Sequence, residues 1–319
     1  MDKYEVFRFI GTVGGCRLLK ARHRSSGDLV TLKEVSINLS QEGVPSSLIR
    51  EISFLIELDH KNIVKLFDVG NIGRRVYLVL EYLPHDLKSF LFSNFFLYLG
   101  RTLMKGLLYQ LLKGVAYCHS HKTIHRDLTC ENLLVDERGK ILKITNFGSA
   151  RAIDVPFKTY TGGSQVTTLV YRAPELLRGD SKYSTAVDMW SVGCIFAEMV
   201  RKQTLFSATT EEVLLIQIFS LLGTPDEEIW PDINELCKRL RAYAENQAKT
   251  LNKSIPPLLE TFDKSEPKEL SKYVKGLEES GVDLLSKMLR VNPRTRITAS
   301  EALKHPYFRD KDMKPVLRF

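Results

Sequence analysis

Residues 124–132 read I-H-R-D-L-T-C-E-N, and this stretch joins a long amphipathic run to the short apolar segment 133–135. Asp127 and Asn132 stand five positions apart on what we predict to be one tight loop. The carboxylate can accept the proton of an attacking hydroxyl, and the amide oxygen can hold a metal ion that neutralises phosphate charge. The stretch therefore predicts a catalytic loop, with Asp127 as the base and Asn132 as a metal ligand.

The composition is that of an ordinary globular protein. The chain has 319 residues, 44% of them hydrophobic and 26% charged, which is enough for a large core and two lobes. Residues 1–8 carry alternating charge, so we expect no signal peptide. Apolar stretches such as 90–99 are shorter than the roughly 20 residues of a membrane helix, so we expect no membrane partner.

The cysteines indicate the cellular compartment, and the net charge bears on whether the protein binds nucleic acid. The five cysteines are odd in number and far apart, without metal-ligand spacing, so we expect reduced thiols in the cytoplasm, the nucleus or both. The net charge of +8 comes from dispersed basic residues without interleaved aromatic residues. This pattern favours a solvated basic surface and no nucleic-acid partner.

Residue periodicity predicts an α+β fold, with a small β-rich lobe over 1–83 and a larger α-helical lobe over 84–319. A ligand cleft is expected between the two lobes. Strands are predicted at 4–10, 18–21, 29–35 and 76–81, with one helix at 45–58 among them. Later come a helix at 101–121, a hairpin of 133–135 with 141–144, a buried helix at 187–200, and charged peripheral helices and loops over 232–275.

Lys33 and Glu51 form the second candidate feature. Lys33 lies in a predicted strand, where a lysine is usually only a solvent-facing charge. Glu51 is the lone charge on a helical stripe with Phe54, Leu55 and Leu58, and a buried carboxylate needs a cationic partner. We expect the two side chains to pair.

Several motifs together resemble the cyclin-dependent kinase family over residues 4–308. Besides the catalytic loop, they are P-S-S-L-I-R-E at 45–51, V-L-E-Y-L at 79–83, Y-R-A-P-E at 171–175, D-M-W-S-V-G at 188–193 and L-G-T-P at 222–225. The resemblance implies a bilobal protein kinase domain that transfers the γ-phosphate of ATP to protein serine or threonine, with Mg²⁺ as cofactor. It also implies a cyclin or cyclin-like subunit bound through the segment from Pro45 to Glu51, and a protein substrate.

The resemblance also assigns site residues. The catalytic set it implies is Lys33, Glu51, Asp127 and Thr168. The nucleotide-binding set is Ile10, Gly11, Leu18, Lys33, Glu81, Leu83, Asp86 and Leu134, and the metal ligands are Asn132 and Asn146. By the same resemblance, Arg50, Arg126 and Arg151 converge on a phosphorylated Thr161, because guanidinium groups bind a phosphate dianion bidentately and order the loop.

The departures from the family pattern cluster at the phosphate and metal pocket. Asn146 stands where D-F-G has aspartate, and its neutral oxygen is a weaker magnesium ligand than a carboxylate. Val13 and Cys16 replace two glycines of the phosphate loop, whose lack of a Cβ lets the backbone approach phosphate. Thr129 replaces a lysine that contacts the transferred phosphate, and Val170 replaces a tryptophan beside the substrate surface.

Three hypotheses remain at this stage. The favoured one is a serine/threonine kinase with a weakened Mg²⁺ site, because Lys33, Glu51 and Asp127 are present. The alternative is a pseudokinase that keeps the fold and the cyclin-facing helix as a scaffold. A nucleic-acid-binding module rests on charge alone.

Overall fold

The computed structural model of the chain describes residues 2–37, 43–93, 100–153, 169–179, 184–250 and 265–309. Contacts divide the chain into two compact units, Met1–Ala152 and Ile153–Phe319. The first unit holds every strand of the described residues, and the second is helical. The predicted α+β class is thereby confirmed, whereas the lobe boundary between residues 83 and 84 stays a prediction. No helix in the described ranges has the length and apolar character of a membrane span.

The first unit is built on an antiparallel sheet in the order β1-β2-β3-β5-β4. Its strands are β1 (Tyr4–Val13), β2 (Cys16–His23), β3 (Leu29–Ser36), β4 (Leu66–Ile72) and β5 (Arg75–Glu81). Four of the five were predicted, each within three residues at either end. β4 was not, because this edge strand is mostly exposed and contains Asp68 and Gly70, which disfavour strands.

Helix α1 (Ser46–Glu57) confirms the helix predicted at 45–58. Pro45 stands at its N-cap, where its missing N–H leaves no helical bond unmade. The stripe formed by Leu48, Glu51 and Leu55 is buried, so the one carboxylate on this face is carried into the interior together with the leucines. This placement makes Glu51 available to the sheet.

The remainder of the first unit frames the predicted catalytic loop. It comprises β6 (His85–Asp86), α2 (Leu87–Leu91), α3 (Arg101–Ser120), β7 (Thr123–Ile124), β8 (Leu133–Val135), β9 (Leu142–Ile144) and β10 (Arg151–Ala152). β7 enters the loop and β8 leaves it, and β8 pairs with β9 as the predicted hairpin. α3 packs closely on β9, since a Cβ added at Gly114 would lie 2.8 Å from Ile144 Cδ1. The loop is therefore held at both ends by paired backbone.

The second unit is organised around one buried helix. Its helices are α4 (Pro174–Arg178), α5 (Ala186–Arg201), α6 (Glu211–Leu222), α7 (Ile233–Thr250), α8 (Glu279–Met288) and α9 (Ala299–Ala302). α5 is buried almost from end to end, with Trp190 fully inaccessible, which confirms the expectation for 187–200. The charged region 232–275 contributes α7 as expected, and its part 251–264 lies outside the described residues.

A buried ion pair ties this unit together. Arg296 donates to both carboxylate oxygens of Glu175 at 2.7 and 3.0 Å, and also to the carbonyl oxygen of Ala186 at 2.7 Å. Its guanidinium also lies 5.2 Å from the ring centroid of Trp190. The bidentate geometry links the start of α4 to the start of α5 through a residue more than a hundred positions away in sequence.

We predict that Arg296→Met lowers the free energy of unfolding by about 3–5 kcal/mol, because it strands the buried Glu175 carboxylate. Urea denaturation measures this loss. Lys272→Met is the matched control, since its exposed pair with Glu269 contributes little to stability. Equal effects of the two substitutions would contradict the prediction.

Candidate active site

The expected pair of Lys33 and Glu51 is formed. Lys33 Nζ donates to Glu51 Oε1 at 2.9 Å and to Oε2 at 2.6 Å, and both side chains are buried. Its third N–H donates to Asn146 Oδ1 at 3.1 Å. An ammonium group has three donors, so all of them are used within the protein. A nucleotide phosphate can therefore accept a hydrogen bond from Lys33 only if it shares an N–H donor with Glu51 or Asn146, or replaces one of them as the acceptor.

Asn146 connects this pair to the catalytic loop. Its amide nitrogen donates to Asn132 Oδ1 at 3.1 Å and lies 3.5 Å from Asp127 Oδ2. The orientation of the amide is fixed by chemistry, because the atom facing the donor-only lysine must be the oxygen. Its backbone is left-handed at φ 67°, a conformation that asparagine adopts more readily than most residues. One hydrogen-bonded group thus contains five side chains: Lys33, Glu51, Asp127, Asn132 and Asn146.

The loop itself is braced from within. Asn132 Nδ2 donates to the backbone oxygen of Asp127 at 2.8 Å and to its Oδ2 at 3.0 Å. His125 Nδ1 accepts from the Asp127 N–H at 3.2 Å, while its Nε2 faces the Thr145 carbonyl at 2.9 Å and therefore carries the proton. These contacts fix the direction of the Asp127 carboxylate. Sequence reasoning missed His125 as a positioning residue, although the motif itself contains it.

Thr129 has a structural task in this loop. Its hydroxyl caps the short helical turn Cys130–Asn132 by accepting from the Asn132 N–H at 3.3 Å. The side chain is 2% exposed, so it does not extend outward as a lysine would. The cap stabilises the segment that carries Asn132.

The hairpin between β1 and β2, where the phosphate loop is predicted, has two glycines at its turn. Val13 pairs with Cys16, and Gly14 and Gly15 between them have φ values of 55° and 78°. Two consecutive positive φ values define the type I′ turn that best matches strand twist. Burial raises the pKa of the Cys16 thiol, and nearby Lys33 opposes this effect. Cys16 is therefore protonated at neutral pH and is not a nucleophile there.

The predicted nucleotide-binding residues lie on the sheet and on the strands beside the catalytic loop. Ile10 and Gly11 lie on β1, and Leu18 lies on β2 opposite Lys33. Glu81 is the last residue of β5, and Leu83 follows two positions later. Leu134 on β8 pairs with Asp86 on β6. Asp86 also caps α2, accepting from the Ser89 N–H at 2.8 Å and from its hydroxyl at 2.7 Å. Their roles toward a nucleotide stay predictions.

The predicted phosphate-reading arginines lie near the segment that follows Asn146. Arg50 Nη1 donates to the Gly148 carbonyl at 2.6 Å, and Arg126 Nε donates to the Ser149 carbonyl at 2.7 Å. Arg151 pairs with Ile124 across β10 and β7, close in sequence to both carbonyls. The structure therefore brings all three to one short stretch. Thr161 and Thr168 lie outside the described residues.

The predicted metal ligands, Asn132 and Asn146, do not fit a site that binds magnesium with ordinary affinity. Both predicted ligands are neutral amides, and each amide oxygen already accepts a bond, Asn146 from Lys33 and Asn132 from Asn146. Mg²⁺ prefers anionic oxygens in octahedral geometry. Among the described residues, no group of three or more histidine, cysteine, aspartate or glutamate side chains could hold a metal ion. The weakening of the metal site stays a prediction.

We predict that Lys33→Met costs about 3–5 kcal/mol of folding free energy, because Glu51 then loses its partner in a buried position. Lys20→Met is the matched control on the adjacent strand: Lys20 lies 4.4 Å from the Tyr82 ring centroid, a contact worth about 0.5–1 kcal/mol. Chemical denaturation compares the two. A smaller loss for Lys33→Met than for Lys20→Met would show that the pair does not hold the sheet to α1.

Comparison with known families agrees with this geometry. A sequence model described as the protein kinase domain matches residues 4–308, nearly the whole chain. The match spans the sheet, the hydrogen-bonded group around Asp127 and the helical unit.

Proposed function

The chain belongs to the protein kinase family, and on that premise we propose that it is a cyclin-dependent-kinase-like serine/threonine kinase with impaired metal binding. One observation carries the proposal: the buried Lys33–Glu51 pair is joined through Asn146 to the Asp127 carboxylate. Kinase catalysis depends on a phosphate-binding lysine held by a glutamate, together with a base for the acceptor hydroxyl. Both are present and connected.

In the proposed reaction, Lys33 binds the α- and β-phosphates of ATP after exchanging its bond to Asn146. The acceptor hydroxyl of a protein serine or threonine attacks the γ-phosphorus and gives its proton to Asp127. The bond from the γ-phosphorus to the bridging oxygen breaks, and ADP leaves. No step is assigned to magnesium, because the amide oxygens do not fit it. The resemblance implies a preference for proline after the acceptor, and Val170 in place of the tryptophan argues for a weaker one.

A cyclin-like subunit is the proposed partner, bound through the segment from Pro45 to Glu51 in the cytoplasm or the nucleus. On α1, Ile49 and Ile56 are 55% and 72% exposed, and they stand seven positions apart, two turns along one helical face. Apolar side chains so exposed support an interaction surface. Glu51 lies on the same helix, so a partner bound there can hold the Lys33–Glu51 pair in place.

We predict that Ile49→Asp abolishes stimulation by a cyclin-like subunit while the isolated chain keeps its ATP affinity. The control is Ile141→Asp, the same substitution at a 43% exposed isoleucine outside α1. Pull-down and activity titration with a panel of cyclins measure the effect. Unchanged stimulation in Ile49→Asp would place the partner elsewhere.

A second candidate function, a pseudokinase, is favoured by the hydrogen bonds of Asn146. Its N–H groups are directed at Asn132 Oδ1 and Asp127 Oδ2, the side on which a cation would neutralise oxygen atoms. An amide that donates here keeps the site assembled without an ion. A chain of this kind binds nucleotide and partner without transferring phosphate.

One experiment separates the two functions. We predict that the purified chain transfers radiolabelled phosphate to substrate faster than an Asp127→Ala control. We also predict that Asn146→Asp raises this rate by about 10²–10³-fold at millimolar magnesium, because one preorganised electrostatic group changes kcat by about that factor. Thermal shift with ATP, with and without EDTA, is measured in parallel. No incorporation by either protein, with ATP binding that ignores EDTA, would establish the pseudokinase and reject the kinase.

A further inference from the structure

Strand β1 presents an open sheet edge. It is the terminal strand of the five-stranded sheet, and among the described strands it pairs only with β2. Its beginning is anchored, because the backbone N–H of Arg24 donates to the Lys3 carbonyl at 2.7 Å. An edge strand carries a row of main-chain donors and acceptors that can pair with another strand.

The side chains on this edge are unusually apolar for an exposed strand. Val6, Phe7 and Phe9 are 51%, 43% and 52% exposed. Val6 and Phe9 pair across the sheet with Ala21 and Leu19, which belong to a buried apolar cluster on that face. Val6 and Phe9 therefore extend an existing apolar surface to the sheet edge, whereas the ring of Phe7 lies against the guanidinium of Arg22, 4.8 Å from centroid to Cζ. Lone exposed apolar residues are common, but two of them that continue a buried cluster to an open edge indicate an interaction site.

The order of residues in β1 is self-complementary. In an antiparallel pairing of two copies with Val6 opposite Val6 at the two-fold axis and Phe7 as the extra residue of a bulge in each copy, Glu5 of one copy stands opposite Arg8 of the other, twice. The same register places Tyr4 opposite Phe9, also twice. Bulges in β1 at positions 7 and 10 keep Glu5 and Arg8 on one face and Tyr4 and Phe9 on the other. Opposite charges and aromatic pairs directly across a strand pair are both stabilising.

We propose that this chain self-associates through β1, with two copies pairing edge to edge about a two-fold axis. The occupant is a second copy because the register satisfies both charges with the same pair of residues, as an isologous interface requires. Main-chain bonds supply the contact, and Glu5 with Arg8 selects the register. A single strand pair buries less than a standard interface, so the dimer is weak and depends on concentration.

Charge reversal tests the register. Glu5→Arg sets an arginine opposite Arg8 of the other copy, and Arg8→Glu sets a glutamate opposite Glu5, so each variant alone should weaken dimerisation by about tenfold. The double variant Glu5→Arg with Arg8→Glu restores opposite charges and should dimerise like the original chain. An equimolar mixture of the two single variants should form a heterodimer. Sedimentation velocity over a concentration series measures all four.

Effects on folding are distinguishable from effects on association. Within the chain, Glu5 pairs with Arg22 and Arg8 pairs with Lys20. Glu5→Arg therefore removes an attraction inside the sheet, whereas Arg8→Glu adds one, so their thermal midpoints should move in opposite directions. Both variants must nevertheless weaken dimerisation by about tenfold. A monomeric original chain, single variants that dimerise normally, or no heterodimer on mixing would each overturn the proposal.

Discussion

The buried ion pair of Lys33 with Glu51 is the constraint on which the site depends. Neither charge is tolerable alone at this depth, so β3 and α1 are held at the separation that one short bond allows. The third donor of Lys33 then fixes Asn146, and Asn146 fixes the side chains of the catalytic loop. The position of the base is thus a consequence of charge burial in the sheet.

The asparagine at position 146 determines the net charge of this group. Within the five-residue hydrogen-bonded group, Asp127 carries the negative charge that lies outside the ion pair, whereas an aspartate at position 146 would add a second. The Asn146 amide nitrogen donates to Asn132 Oδ1 and lies 3.5 Å from Asp127 Oδ2, so part of the acceptor capacity of these oxygens is already used. The arrangement of these side chains and the weakened metal affinity proposed above are therefore separate properties.

Much of this site could be predicted because local chemistry specifies it. Glu51 on an apolar stripe required a cation, and the spacing of Asp127 and Asn132 required one loop. β4 escaped prediction because Asp68 and Gly70 interrupt its apolar residues. The capping role of Thr129 and the three-way use of Lys33 were also missed, since both depend on which groups the fold brings within bonding distance. Sequence patterns report burial and spacing, but they do not report which lone pairs are already taken.

The Gly14–Gly15 turn affects the conformational entropy that the loop would lose in the nucleotide binding proposed above. Glycine-rich loops lose conformational entropy when a ligand orders them, and that loss weakens affinity. Here Val13 and Cys16 are paired and the two glycines have the φ values of a type I′ turn, so the chain itself forms the hairpin. The ordering cost is then met during folding. The side chains of Val13 and Cys16 restrict how closely the backbone can approach phosphate, but the hairpin that would approach it is already formed.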